Sequence, residues 1–125
     1  MTSALLLSLA LVDPTVAAVN AERARHRLAP FVQHEVLERS SERFAQRLVR
    51  TGRFAHDTRI RVPAGRFTRL GEALAQGEGL SPAAAVRAWM DSPPHRKLLL
   101  STRFTQAGAG AAGSTVRVLH LASAA

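Results

Sequence analysis

Apolar positions recur at helical spacing through the first half of the chain and alternate at strand spacing near its end. The clearest helix is predicted over residues 33–51. There Leu37, Ser41, Phe44 and Leu48 fall at three- and four-residue intervals and make an apolar-to-small stripe. Arg39, Arg43, Arg47 and Arg50 line the opposite side, flanked by Glu35, Glu38 and Glu42, with Glu35 and Arg39 a favourable i,i+4 pair. Gly52 suits the left-handed residue that ends a helix.

An earlier helix begins at Asp13-Pro14, because Asp accepts from the free amides of a first turn and Pro fits the first helical position. It runs to about residue 28, before Pro30, with Val12, Val16, Val19 and Arg23 on one face. Asn20 and Arg23 share that side, and buried amide and guanidinium groups must be hydrogen-bonded. Both are read as interior ties to backbone carbonyls. Residues 54–68 hold Pro63 and Gly65 and read as irregular, and residues 70–76 as a short strand. Ser81-Pro82 opens a third helix to about residue 91; Pro93-Pro94 reads as its stop, with one further turn over residues 95–100. Trp89 is read as core or cleft wall, its indole N–H finding a partner. Residues 104–111 and 115–122 pattern as a hairpin around Gly113-Ser114. In its last strand Val116, Val118 and His120 share one face and Arg117, Leu119 and Leu121 the other.

Composition narrows the chemistry. The 125 residues suit one domain, and 46% hydrophobic content is enough for a core, built mostly from Leu, Val and Ala because only 5% of residues are aromatic. Without cysteine there are no disulfides, no zinc thiolates and no thiol nucleophile, so any metal must use nitrogen or oxygen ligands. The net charge is +8, and sixteen of the seventeen basic residues are Arg, Lys97 being the exception. Charge alone leaves open a module that binds nucleic acid or anionic surfaces. No specific nucleic acid is expected, since one Trp, five Phe and no Tyr give little for base stacking. Residues 1–12 include an apolar run over residues 4–12, read either as a lead-in to the first helix or as the core of a signal segment. The run is too short to span a bilayer and has no basic residue before it. No other stretch approaches a membrane span, and residues 13–125 form the domain.

Five short motifs stand in a telling order. They are Val19-Asn20-Ala21-Glu22-Arg23, Phe54-Ala55-His56, Gly71-Glu72, Trp89-Met90-Asp91-Ser92-Pro93-Pro94-His95-Arg96, and Phe104-Thr105-Gln106-Ala107-Gly108-Ala109-Gly110. In this order they resemble the CAP superfamily of cysteine-rich secretory, antigen 5 and pathogenesis-related proteins, in its short, cysteine-free bacterial branch. The resemblance implies an α+β fold, an α/β/α sandwich with a small antiparallel sheet between helices and a cleft on one side. It implies that His56 and Glu72 line the cleft, that His95 matches the histidine of the Trp-to-His motif, and that Asp91 or Ser92 falls near a second cleft acid. Three departures stand out: Ala73 replaces an Asn, Pro94 replaces a Gly, and Val118, Leu119 and His120 replace an aromatic and Gln run.

Two readings of His56, Glu72 and His95 follow. Two neutral imidazoles and a carboxylate would hold Zn²⁺ with one position left for water; the simpler alternative, which we favour, is a hydrogen-bonded His–Glu pair tying segments together. Asn20, Arg23 and Trp89 are structural in this reading, and His26, His34 and His120 are surface or packing histidines. The resemblance implies an extracellular or cell-surface binding module, expected to be a monomer needing no cofactor, for a small apolar ligand such as a lipid or for a cell-surface partner. The enzyme alternative is a metal-dependent hydrolase with Glu72 as general base and His56 as acid or metal ligand.

Overall fold

In the computed structural model, which describes residues 12–124, the alternating end of the chain becomes the middle of a four-stranded sheet. The elements run α1 (Pro14–Arg25), β1 (Val32–Gln33), α2 (Glu35–Thr51), β2 (Phe67–Gln76), α3 (Pro82–Met90), α4 (Pro93–Leu99), β3 (Gln106–Ala112) and β4 (Val116–Ala124). The sheet order is β1-β3-β4-β2. β3–β4 and β2–β4 pair antiparallel, while β1 joins β3 in parallel, a pairing with no counterpart in the sequence reading.

Strand alternation divides the molecule into three layers. On one face Ala73, Ala75, Ala107, Ala109, Leu119 and Leu121 meet Val16 and Val19 of α1, Ala85, Val86 and Trp89 of α3, and Leu99 of α4. On the other face Leu74, Ala112, Val116 and Val118 meet Phe44, Ala45 and Leu48 of α2. The architecture is the α/β/α sandwich implied by the resemblance. Side-chain bonds lock the outer layer. Asn20 exchanges two bonds with the Phe31 backbone, and Arg23 donates to the carbonyls of Ala29, Leu99 and Ser101 at 2.7–2.8 Å. β2 is an edge strand, and the Trp89 indole donates to its Leu74 carbonyl at 2.9 Å, so α3 covers an edge that would otherwise offer unpaired groups.

Local signals explain the boundaries. Asp13 caps α1 through the amides of Thr15 and Val16, Ser81 caps α3 through Ala84, and Gly52 ends α2 with φ of 67°. Where the sequence reading let Pro93-Pro94 end one helix, the pair also begins the next, because proline lacks only an amide that a first turn leaves free. β2 is longer than expected because it pairs with β4 along its whole length. The apolar run before Val12 lies outside the described residues. Among those described, no helix is long and apolar enough to cross a membrane.

Candidate functional site: a His56–Glu72–His120 line

Register builds the centre of the site. Glu72 on β2 stands opposite His120 on β4, and His120 stands opposite Gly108 on β3, so all three lie on the sheet face under α2. Gly108 and Gly110 let α2 settle directly on β3. A Cβ at Gly108 would lie 2.1 Å from the Glu38 nitrogen, and one at Gly110 2.3 Å from that of Glu42. The Ser41 hydroxyl donates to the Gly108 carbonyl at 2.8 Å and fastens the contact.

This close approach brings α2 to His120, which is 1% exposed. Its Nδ1 lies 2.7 Å from the Ser40 hydroxyl, its ring stacks on Phe44, and its Nε2 lies 2.7 Å from Glu72 Oε2. An ionised carboxylate only accepts, so Nε2 donates. The Ser40 hydroxyl donates to the Leu37 carbonyl at 3.0 Å.

The other carboxylate oxygen faces the irregular segment between α2 and β2. Glu72 Oε1 accepts from His56 Nδ1 at 2.9 Å and from the Asp57 amide at 3.2 Å. Asp57 is pinned in turn by Arg47 at 2.5 Å and Arg61 at 3.8 Å. The result is a continuous line from His56, whose side chain is 60% exposed, through Glu72 to a buried His120 and Ser40. Burial pushes the Glu72 carboxyl up, but bonds from His120 and His56, the nearby His120 charge and the Asp57 amide outweigh it and hold the group below its ordinary value. Asp57 is lowered in the same way, burial being outweighed by its bond to Arg47 and by the charges of Arg47 and Arg61.

The remaining sequence-derived site residues lie around this line. His95, on α4, keeps its Nδ1 2.9 Å from the Ser92 hydroxyl. Burial first, and the His56 charge second, make it harder to protonate than usual. Asp91 caps the end of α3 and lines a separate cavity of ≈420 Å³ with Glu22, Arg25 and Arg96. His34 caps α2 through the Val36 amide, and His26 contacts Arg96.

Whether this set suits a metal can be judged from its donors. Each Glu72 oxygen already accepts from a protein N–H, and among the described residues no three His, Asp or Glu side chains are gathered as a metal-holding group. His56 and His95 each have Nδ1 braced by an oxygen, an arrangement that orients histidine ligands, and their Nε2 atoms make no other bond among the described residues. The fit is therefore partial: two nitrogens, with Glu72 orienting one of them.

His120 is the central residue that the sequence reading set aside. One signal pointed to it: strand alternation put it on the face of Val116 and Val118. Nothing in the chain paired it with Glu72, 48 residues away, or with Ser40, 80 residues away.

Comparison with known proteins bears on the family and the fold. Residues 16–119 match the family described as CAP, Cysteine-rich secretory protein family. The Bacillus subtilis (strain 168) protein described as Uncharacterized protein YkwD is 30% identical over 103 residues, which are 76% of this chain and 40% of YkwD. An extracellular protein containing a SCP domain from Bacillus anthracis superposes with a TM-score of 0.77 at 22% identity, covering 87% of this chain and 39% of that one. An outer surface protein of Borrelia burgdorferi gives 0.75 at 19% identity over 88% of this chain and 90% of its own. The chain thus spans about two fifths of the two Bacillus proteins. With the family match covering most of its length, and the same sandwich in its structural neighbours, this chain belongs to the CAP family.

Proposed function

We propose that the chain is a ligand-binding CAP module of the cell exterior in which His56, Glu72 and His120 shape the cleft rather than carry out catalysis. One observation supports this most: three N–H donors occupy both oxygens of Glu72. A general base needs an oxygen open to substrate or water, and here that capacity holds the 52–66 segment against the sheet. Between the end of α2 and the far ends of β2 and β4, a groove of ≈540 Å³ is lined by Leu48, Val49, Phe54 and Val116, with Val49 and Phe54 exposed. Its apolar wall suits a small apolar ligand. An exterior location is in keeping with the descriptions of the Bacillus anthracis and Borrelia neighbours.

The test uses N-phenyl-1-naphthylamine, a neutral apolar dye whose fluorescence rises on burial. Saturable binding that weakens in Phe54→Ala, with no esterase turnover above that of Glu72→Gln, supports the reading. Turnover that needs zinc and disappears in Glu72→Gln overturns it in favour of a hydrolase.

A second reading has one observation behind it, the braced imidazoles of His56 and His95. Together with solvent ligands they would hold a divalent ion, which when bound would supply Lewis acidity to a water molecule. Calorimetry with zinc chloride decides: one-site binding that disappears in both His56→Ala and His95→Ala carries this reading, and binding unchanged in either removes it.

A further inference from the structure

Arginine is distributed unevenly along this chain. From residue 43 to residue 71 there are eight arginines and a single acid, Asp57. The acids of α2, Glu35, Glu38 and Glu42, all lie in its first half, where Glu35 pairs with Arg39 at 2.6 Å. Its second half presents Arg43, Arg47 and Arg50 at helical spacing on one side. The helix dipole favours a cation such as Arg50 in the last turn. It gives no reason for Arg43, well before that turn, or for Arg61 on the facing segment.

The fold turns this face into a concave site. Asp57, its side chain 12% exposed, holds Arg47 from α2 and Arg61 from its own segment, so helix and segment face each other across a cavity of ≈330 Å³. Arg47 is steadied further over the Phe44 ring, 4.8 Å from its centroid. Ser40 and His120 contribute to the floor. Arg43 and Arg50 also line it, and neither has an acidic partner among the described residues. Four guanidinium groups thus border one space with one carboxylate between them.

We propose that this cavity binds the phosphate-ester group of a small ligand. A lone carboxylate matches one planar guanidinium fork, whereas a phosphate monoester carries more charge and directs oxygens out of a single plane. It can therefore meet donors from both walls at once. A concave wall of one charge sign also raises the local concentration of such an anion. A polynucleotide fits poorly, because the two rings lining the cavity, Phe44 and His120, are both buried and offer no surface for stacking bases. The inference rests on the binding-module reading but names a chemistry which that reading leaves open.

Isothermal titration of the whole chain with glycerol 3-phosphate in low salt tests the proposal, with glycerol as the uncharged control. The expected result is saturable binding of the ester and none of glycerol, with affinity falling as salt rises. The Arg43→Gln/Arg50→Gln double variant should bind about tenfold more weakly or worse, since each arginine offers charge-assisted bonds. Arg69→Gln/Arg103→Gln removes equal charge at exposed sites away from the cavity and should stay within about twofold of the wild type. Circular dichroism and melting temperature confirm that both variants are folded.

Co-sedimentation with phosphatidylcholine vesicles containing phosphatidic acid distinguishes the source of the group. Capture by these vesicles, lost in the Arg43/Arg50 variant, assigns it to a lipid headgroup; binding of glycerol 3-phosphate without capture assigns it to a soluble ester. Absence of saturable binding in both assays, or equal loss in the Arg69/Arg103 control, overturns the proposal. If the neutral dye still binds in that event, the module reading stands and the phosphate site alone fails.

Discussion

The two faces of the sheet share four strands and solve different problems. The face under α1, α3 and α4 is closed by apolar volume, with Val19, Ala85, Leu99, Leu119 and Leu121 all at 0% exposure. The face under α2 is wholly apolar only at one end. At the other, glycines bring the helix backbone onto β3, and the space beside them and the buried Leu37 holds Ser40, Glu72 and His120 in a bonded line. Buried polar groups are tolerated there because each has a partner, and they become costly as soon as one is removed. Close packing of the first kind gives stability, and close packing of the second kind gives a positioned site.

Four perturbations sharpen that contrast, the largest first. Gly108→Ala pushes a methyl into the α2 backbone, which has no flexible side-chain end to yield. It should destabilise by about 3 kcal/mol or more in urea denaturation. The opposite-face change Ala109→Gly should cost only about 1 kcal/mol. His120→Leu keeps an apolar bulk but strips a buried carboxylate of its shortest donor, for a loss of about 2–3 kcal/mol in the same measurement. His120→Gln, which restores a donor, should recover part of it. If His120→Leu proves neutral, the polar line is incidental to the fold.

The third perturbation is acid. The folded pKa of Glu72 is depressed, so its stabilisation is complete above the ordinary carboxylate value near 4.3 and fades as pH falls through the lower folded value. Thermal melts should show a steeper loss of melting temperature below about pH 4.5 for wild type than for Glu72→Gln. His95, also depressed, follows the same sign at higher pH. Its contribution is complete above about 6.5 and fades as pH falls through its lowered value, and His95→Gln should flatten that limb. The smallest effect belongs to His56→Ala. This removes a bond at a largely exposed side chain and should cost about 0.5 kcal/mol, with little change in the stability of the α2 face.

Much of this was legible in the chain because it is local. The Leu37, Phe44 and Leu48 stripe, the caps at Asp13 and Ser81, the glycine stop at Gly52 and the hairpin at Gly113 each depend on residues within a few positions of one another. The parallel pairing of β1 escaped notice because two residues carry no readable period. The further turn expected over residues 95–100 begins two residues earlier, at Pro93, because the same residue both ends one helix and begins the next. Of the site, His56 and Glu72 could be singled out through the motifs around them, whereas His120 stood only as one more inward position on a strand.

By itself the sequence determined which face of each element is apolar and must be covered, while the layered arrangement came only with the family resemblance. It also determined the arginine surplus between residues 43 and 71. Only the tertiary structure decided which polar groups meet. The partnership of Ser40, Glu72 and His120 depends on strand register and on how far α2 sinks onto β3, and a one-residue slip would turn His120 away from Glu72. Register is a relation between distant segments, fixed only when all of them pack together, so no single stretch of the chain contains it.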